Sequence, residues 1–262
     1  MTAPTGSDPS TWADAWRHAL TFLTVLRVDG PRTVDARTAS RAMLLAPVAA
    51  TPLGLLVGAI AWLATTAGAG NLVTGLLCVG ALALGSRALH WDGLADTVDG
   101  LTASYSRERS LEVMRTGASG PAGVLSIVLV AGIQAAALAA IVVDEWGWLA
   151  AGLLVLASRS ALTTACVRGV PAARPDGLGA LHIGSVPALS VVASAAATIG
   201  VCTLAGQLVG TWWLGALAWP VALACLALLA RRSVRRLGGL TGDVLGACVE
   251  LSLAAVLVVV SL

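Results

Sequence analysis

Three aspartates lie close together in one short polar segment, at residues 90–100. Asp92, Asp96 and Asp99 are spaced i, i+4 and i+7, so on a helix they fall within about 60° of one another on one face. Carboxylates about 5 to 6 Å apart repel each other, so we expect a positive partner among them. Ligands that are all carboxylate oxygens favour magnesium or manganese over zinc. The alternative is a solvated acidic turn whose carboxylates pair with the arginines of 107–115.

A second acidic pair, Asp243 and Glu250, follows a glycine-containing segment at 238–242. The two residues are seven apart and therefore share one face of a helix. Glu250 falls about two turns inside an apolar run, where a carboxylate costs a few kcal/mol unless it faces a cavity or a partner. A functional role is the first expectation for Glu250. The alternative is an ion pair with Arg87 or Arg159 that holds the helices together.

Arginines form the third polar feature. Arg168 and Arg174 lie in a segment with several glycines and prolines at 168–179, and Arg159 precedes it. Arginine suits bidentate contact with phosphate, so the combination indicates a metal-assisted reaction on a pyrophosphate or phosphodiester. For each arginine alone, retention on the inner side of a membrane is the alternative explanation. His90 lies opposite the aspartates in helical projection, and a structural hydrogen bond is the alternative to a substrate contact there.

The elements that position these residues are apolar. Of the 262 residues, 57% are apolar and 11% are charged, whereas a soluble domain carries about a quarter charged residues. The mean hydropathy is +0.87. This composition predicts an all-α, polytopic membrane bundle, and the long uninterrupted apolar runs exclude an outer-membrane barrel. We predict seven membrane-spanning helices, with kinks at Pro47, Pro52 and Pro220. The predicted spans are 42–66, 72–89, 121–143, 147–166, 186–207, 212–230 and 244–262.

The distribution of arginine predicts the orientation of the bundle. All basic residues are arginine, and the loops at 67–71, 144–146 and 208–211 contain none, whereas the intervening segments do. Because arginine-containing loops stay in the cytoplasm, we predict a protein of the inner cell membrane with its N-terminus and its catalytic residues on the cytoplasmic side. The C-terminus is predicted to lie outside.

The residues before the first span have a different pattern. Trp12, Trp16 and Leu20 recur at helical spacing, which predicts an interfacial amphipathic helix on the inner leaflet. We therefore divide the chain into a cytoplasmic N-terminal segment at 1–41, which contains this helix, and a transmembrane catalytic domain at 42–262. The first 30 residues carry charges and lack a continuous apolar core, so we expect no cleavable signal peptide.

Two further classes of function are excluded by composition. The net charge is only +2, and no clustered basic face accompanies it, so we expect no nucleic-acid partner. The five cysteines stand singly in apolar runs, without a CxxC pair. They predict neither a disulfide framework nor a zinc site.

Two strings of residues are specific enough to indicate a family. H-x-D-G-L-x-D-x-x-D-G occupies 90–100, and G-G-x-T-G-D-x-L-G-A-x-x-E occupies 238–250. Phe22-Leu23-Thr24, Pro47 and the stretch 107–115 extend the match over most of the chain. Together these residues resemble the cobalamin synthase family, the adenosylcobinamide-GDP ribazoletransferases. Either string alone would be a weaker indication.

The resemblance implies an integral membrane enzyme that uses magnesium. It implies that α-ribazole, or its 5′-phosphate, is joined to adenosylcobinamide-GDP with release of GMP, giving adenosylcobalamin or its 5′-phosphate. On this basis we assign metal binding to Asp92, Asp96 and Asp99. One of them, or Asp243 or Glu250, is expected to take the proton of the attacking hydroxyl.

Further partners follow from the same resemblance. The residues expected to contact substrate are His90, Arg109, Arg115, Arg159, Arg174, Gly177 and Gly179. Arg159 and Arg174 are the expected phosphate ligands among them. The lipid bilayer is an expected partner, and soluble enzymes of the cobalamin pathway are expected to dock on the inner leaflet. The sequence leaves open whether the protein forms a homo-oligomer.

Two other functions are compatible with the polar residues. A membrane phosphotransferase that uses a CDP-activated donor also presents a carboxylate cluster, but this chain lacks the D-G-x-x-A-R continuation of that family. A cation transporter could use Glu250 and the aspartates as a pathway. Transporters often contain two related halves, and this sequence shows no such duplication.

Overall fold

The computed structural model describes residues 11–31, 34–177 and 179–262, and these residues are predominantly helical, without a strand. The first ten residues of the predicted N-terminal segment lie outside the described part. The helices are α1 (Trp12–Leu23), α2 (Ala36–Ala49), α3 (Thr51–Thr66), α4 (Asn71–Gly85), α5 (Leu89–Ala103), α6 (Arg107–Val113), α7 (Pro121–Ile141), α8 (Gly147–Ser158), α9 (Ser160–Ala165), α10 (Ala188–Leu208), α11 (Trp212–Leu237) and α12 (Gly242–Val260).

Six stretches of the described residues are long and apolar enough to cross a membrane. Four are the single helices α7, α10, α11 and α12, and two are the consecutive pairs α2–α3 and α8–α9. The first pair divides at Ala50, between Pro47 and Pro52, as the sequence predicts. A seventh crossing is present if α4 and α5 together count as one broken span. The predicted polytopic helix bundle is therefore confirmed.

The chain bends by 93° between α4 and α5. Arg87 and Ala88 make this bend with φ angles of 57° and 53°. For residues with a side chain, the left-handed conformation costs about 1–2 kcal/mol each. The Arg87 side chain donates a hydrogen bond to the Thr21 carbonyl oxygen (2.7 Å), which helps to hold the bend. As a result α5 leaves the direction of α4 and packs against α12 and α7.

Small residues let the spanning helices approach closely, as is usual in membrane bundles. Gly54 of α3 faces Gly152 of α8, where a Cβ atom on either glycine would lie 2.7 Å from the other's carbonyl oxygen. Large apolar side chains such as Leu84 and Leu228 point outward and are exposed. Exposed leucines beside a tightly packed interior are expected where the solvent is lipid.

The segments that contain arginine meet at one end of the bundle, which we call the arginine-bearing end. It is formed by 104–120, by the described residues of 166–187 and by 231–241. The contacts that join them include Arg107 Nη2 to the Ala173 carbonyl oxygen (3.1 Å), Ala173 N to the Leu240 carbonyl oxygen (2.7 Å) and Arg236 to the Ser104 carbonyl oxygen. The alternation of arginine along the chain predicted this grouping. The side of the membrane that this end faces stays a prediction.

The N-terminal helix α1 packs against α2 at the same end. A capping box begins the helix, because Thr11 Oγ1 accepts from Asp14 N and the Asp14 carboxylate accepts from Thr11 N. Ala15, Ala19 and Leu23 are buried. Trp12 stays 56% exposed, as expected for an amphipathic helix at a membrane interface.

Candidate active site

A cleft of about 230 Å³ opens at the arginine-bearing end between α5, α12 and the segment 166–187. Its polar lining consists of His90, Asp92, Arg174, Thr241 and Asp243. Backbone of Gly93, Gly177, Gly179, Gly242 and Gly246 forms much of the remaining wall. The structure therefore brings both sequence strings and the arginine segment to one site.

Close approach of α5 to the start of α12 shapes the floor of the cleft. A Cβ atom on Gly93 would lie 2.7 Å from the Asp243 carbonyl oxygen, and one on Gly246 would lie 3.2 Å from the His90 backbone. Thr241 caps α12 by accepting from Val244 N (3.3 Å). Glycines are required here because they let the two backbones touch. This contact places the carboxylates of two distant segments on one cleft.

Three carboxylates surround the polar side of the cleft. Asp92 is exposed and Asp243 is half-buried, and both line it. Asp96 is buried just behind them, where it interacts electrostatically with Asp92 and Asp243. Arg174 is the nearby positive charge that opposes this repulsion. The expectation that carboxylates gather with an arginine therefore agrees with the structure, whereas the roles of these residues stay predictions.

Asp99 is placed differently from the other two aspartates of α5. Its two carboxylate oxygens accept hydrogen bonds from Gly120 N (2.6 Å) and Gly123 N (2.8 Å). These are unpaired backbone donors at the start of α7, and a carboxylate is stabilised there by hydrogen bonding and by the helix dipole. Asp99 therefore fastens α5 to α7, and it does not line the cleft.

Arg174 is the only arginine among the described residues that line the cleft. Its Nη2 donates to the Leu111 carbonyl oxygen (2.6 Å), which fixes the side chain from α6. Burial lowers the pKa of Arg174, and the carboxylate of Asp243 acts in the opposite direction. Arg174 nevertheless keeps its charge, because the ordinary pKa of an arginine lies far above neutral pH. It therefore supplies a fixed positive charge near Asp243 and Asp96.

The other predicted substrate ligands on α6 and its end lie away from the cleft. Arg109 pairs with Glu112 on its own helix (2.8 Å), and Arg115 reaches Asp176 (3.3 Å). Both pairs are exposed to solvent, where such pairs contribute little stability. Arg115 does connect α6 to the segment that carries Arg174.

Glu250 lies beneath the cleft in a fully buried polar network. Its Oε2 accepts from Gln134 Nε2 (2.9 Å), and its Oε1 lies 3.8 Å from His90 Nδ1. Arg159 is also fully buried, attracts Glu250, and donates to Ser158 Oγ (2.7 Å). Neither Glu250 nor Arg159 lines the cleft among the described residues, whereas His90 does. This placement favours the alternative in which Glu250 and Arg159 hold the bundle together.

A stack of aromatic rings beside the cleft was missed by the sequence analysis. His18 Nε2 and His182 Nε2 are 2.9 Å apart, and the two rings are stacked with centroids separated by 5.1 Å. Phe22 stacks on His182 (5.7 Å) and lines the cleft. Burial lowers the pKa of His18, which favours the neutral ring that this contact needs. The amphipathic helix α1 is thus part of the cleft wall.

The side chains fit a magnesium ion only in part. Within the described ranges, no group of three or more His, Cys, Asp or Glu side chains is arranged to hold a metal. Magnesium is often bound by one or two carboxylates together with substrate phosphates and water. Asp92, Asp96 and Asp243 can supply such carboxylates, whereas both oxygens of Asp99 are already hydrogen-bonded.

A comparison with known protein families shows which family this chain belongs to. A family model described as cobalamin-5-phosphate synthase matches residues 15–261. The chain belongs to this family. Members of the cobalamin-5-phosphate synthase family are enzymes, and the match covers most of α1 as well as the whole bundle. The resemblance expected from the two sequence strings is confirmed.

Several curated relatives carry the same name, adenosylcobinamide-GDP ribazoletransferase. The protein of Nocardioides sp. is 54% identical over 244 residues, which cover 93% of this chain and 96% of the relative. That of Frankia casuarinae is 40% identical and covers 94% of each chain, and that of Bradyrhizobium diazoefficiens is 37% identical and covers 88% and 86%. No solved structure matches this chain.

Proposed function

We propose that this protein is an adenosylcobinamide-GDP ribazoletransferase of the inner cell membrane. The observation that carries the proposal is the cleft in which Asp92, Asp243 and Arg174 meet. The relatives that bear this name align over nearly the whole chain. The reaction joins α-ribazole, or its 5′-phosphate, to adenosylcobinamide-GDP and releases GMP.

The chemistry is a phosphoryl transfer. A free ribose hydroxyl of ribazole, other than the 5′ position that carries the phosphate in α-ribazole 5′-phosphate, attacks the phosphorus nearest to cobinamide and forms a new phosphorus–oxygen bond. The bond from that phosphorus to the bridging oxygen breaks, and GMP leaves with this oxygen and its electron pair. Asp92 or Asp243, which are carboxylates at the cleft surface, takes the proton of the attacking hydroxyl. Arg174 offsets the charge on the phosphoryl oxygens.

Magnesium is the cofactor that we assign to this site. Asp92, Asp96 and Asp243 would hold it together with phosphate oxygens of the substrate. When bound, the ion would neutralise phosphate charge and polarise phosphorus–oxygen bonds. Asp99 would act from a distance, because its hydrogen bonds to α7 fix the orientation of α5.

The size of the cleft limits what can enter it. About 230 Å³ is below the range of about 300–1,000 Å³ that is usual for drug-sized ligands. The cleft therefore takes the diphosphate and part of one nucleoside, and the corrinoid ring stays at the membrane surface outside it. Phe22 lines the cleft and gives it an aromatic ring against which a flat base can lie.

We place the arginine-bearing end on the cytoplasmic side, because arginine-containing segments are retained there. Soluble enzymes of the same pathway then have access to the cleft from the cytosol, and we propose that they dock at this membrane surface. Co-flotation of those enzymes with liposomes that contain this protein is the expected result. Flotation of the protein without them would contradict the docking.

The proposed reaction is tested with purified protein reconstituted in liposomes. We expect GMP release only when adenosylcobinamide-GDP, α-ribazole and magnesium are all present. A parallel reaction with a CDP-alcohol donor should release no CMP. Release of CMP without GMP would replace the proposal with a CDP-type phosphotransferase. Metal flux without any nucleotide would replace it with a transporter.

A further inference from the structure

A second hollow lies at the arginine-bearing end, separate from the cleft. It measures about 370 Å³ and lies between the start of α2 and the two ends of the segment 166–187. The side chains and backbone that argue for a ligand here belong to Arg37, Ser40, Arg41, Arg168, Gly184 and Ser185. None of these residues lines the active-site cleft.

The hollow concentrates positive charge. Three arginines line it, and no carboxylate does among the described lining residues. Asp35 is the neighbouring acid in the chain, but its Oδ1 accepts from Thr38 N (2.7 Å) and caps α2. Ser185 Oγ is buried and has no hydrogen-bond partner among the described residues. Guanidinium groups together with a free hydroxyl donor are a suitable set for a phosphate group.

Exposed apolar side chains occur on the segments next to this hollow, and they favour a lipid over a soluble phosphate compound. Trp12 of α1 is 56% exposed, and the Arg41 guanidinium lies 5.0 Å from the centroid of its ring. Val34, two residues before α2, and Leu189, at the start of α10, are also exposed. A basic pocket at the membrane surface beside an amphipathic helix is the arrangement that recognises anionic lipid headgroups.

We propose that this hollow binds the phosphate of an anionic phospholipid from the leaflet that contacts the arginine-bearing end. Arg37 and Arg168 contact the phosphate, and Ser185 Oγ donates to it. The acyl chains remain in the bilayer beside Trp12 and Leu189. This site does not depend on the reaction proposed for the cleft.

The position of the hollow connects it to the cleft through one segment of chain. Arg168 N donates to the Val186 carbonyl oxygen (2.8 Å), and Ser40 Oγ donates to the Ser185 carbonyl oxygen (3.0 Å). These hydrogen bonds fix the two ends of the segment 166–187. Arg174, in the middle of this segment, lines the cleft. A bound lipid would therefore order the wall that supplies the positive charge of the cleft.

The test is a lipid titration of the full-length protein in a nonionic detergent, followed by native mass spectrometry. Phosphatidylglycerol, phosphatidylcholine and inorganic phosphate are added in separate series. The test variant is R37Q/R168Q, and the matched control is R231Q/R232Q, which removes two exposed arginines from the end of α11. Arg37 and Arg168 are exposed, so the test variant should fold, and an unchanged size-exclusion profile checks this.

We expect the wild type to retain phosphatidylglycerol in preference to phosphatidylcholine. R37Q/R168Q should weaken phosphatidylglycerol binding about 30-fold, because each arginine near a membrane surface contributes about a fivefold gain in affinity for anionic lipid. The control should weaken binding much less than the test variant, because neither Arg231 nor Arg232 lines the hollow. Equal losses in both variants, or no loss in the test variant, would overturn the site. Displacement of the lipid by inorganic phosphate at equal concentration would show a soluble phosphate compound as the occupant and overturn the lipid assignment.

Discussion

Substitution of Gly93 by alanine tests whether contact between α5 and α12 positions the active site. The new Cβ atom would lie 2.7 Å from the Asp243 carbonyl oxygen and 3.1 Å from its Cα, whereas ordinary contact begins near 3.4 Å. The two backbones must therefore separate by about 0.7 Å. Overpacking of this kind costs about 1–3 kcal/mol, which exceeds the gain of about 1 kcal/mol from replacing a helical glycine.

The effect on the reaction should be larger than the effect on stability. A displacement approaching 1 Å in an active site can cost about a hundredfold in rate, so we expect Gly93→Ala to slow GMP release by about tenfold to a hundredfold. Gly246→Ala meets backbone only at 3.2 Å and should lose less. Gly80→Ala has open space around its Cβ atom and serves as the control.

The assay measures single-turnover GMP release in liposomes together with the thermal unfolding midpoint in detergent. We expect activity to fall in the order Gly80→Ala, Gly246→Ala, Gly93→Ala. Wild-type activity of folded Gly93→Ala protein would refute the reasoning, because it would show that the spacing of α5 and α12 does not position the reacting groups.

Three further substitutions separate structural from chemical roles. Glu250→Gln leaves buried Arg159 without its opposing charge, so we expect it to lower the free energy of unfolding by about 3 kcal/mol; a stable but inactive protein would instead make Glu250 catalytic. Asp99→Asn weakens the hydrogen bonds that the carboxylate accepts at the start of α7. It should lower the free energy of unfolding by about 1 kcal/mol and change turnover less than tenfold. Complete inactivation of folded protein would instead support Asp99 as a metal ligand. Ala88→Gly relieves a left-handed φ angle and should raise unfolding free energy by about 1 kcal/mol, which an unchanged or lower unfolding midpoint would contradict.

Much of the fold could be predicted because membrane spans have a strong compositional signal. Apolar runs located the spanning helices, and the prolines at 47 and 52 located the break between α2 and α3. The arginine pattern also grouped the polar segments at one end. The 93° bend before α5 could not be predicted, because it depends on left-handed conformations at Arg87 and Ala88 that neither residue type favours.

The candidate site was predictable only to the level of its segments. Helical spacing predicts the same role for Asp92, Asp96 and Asp99. In the structure, however, both carboxylate oxygens of Asp99 accept hydrogen bonds from backbone N–H groups at the start of α7. That contact joins residues more than 20 positions apart, and periodicity carries no information about it. The stacking of His18 on His182 was missed for the same reason, although a histidine on an amphipathic helix was a signal that could have been considered.

The contribution of α1 to the cleft could not be predicted from its sequence pattern either. The spacing of Trp12, Trp16 and Leu20 predicted an interfacial helix. The structure adds that Phe22, two residues after Leu20, lines the cleft. A pattern that predicts membrane contact thus does not reveal which residue of the helix turns toward the substrate.

The central claim is that carboxylates of α5 and α12 perform phosphoryl transfer in one cleft. The most direct measurement is the single-turnover rate of GMP release, as a function of magnesium concentration, for wild type, Asp92→Asn and Asp144→Asn. Asp144 is an exposed acid just after the C-terminal end of α7, it does not line the cleft, and it serves as the matched control. We expect Asp92→Asn to lose at least about a hundredfold in rate while Asp144→Asn keeps the wild-type rate and magnesium dependence. A wild-type rate for folded Asp92→Asn protein would contradict the claim.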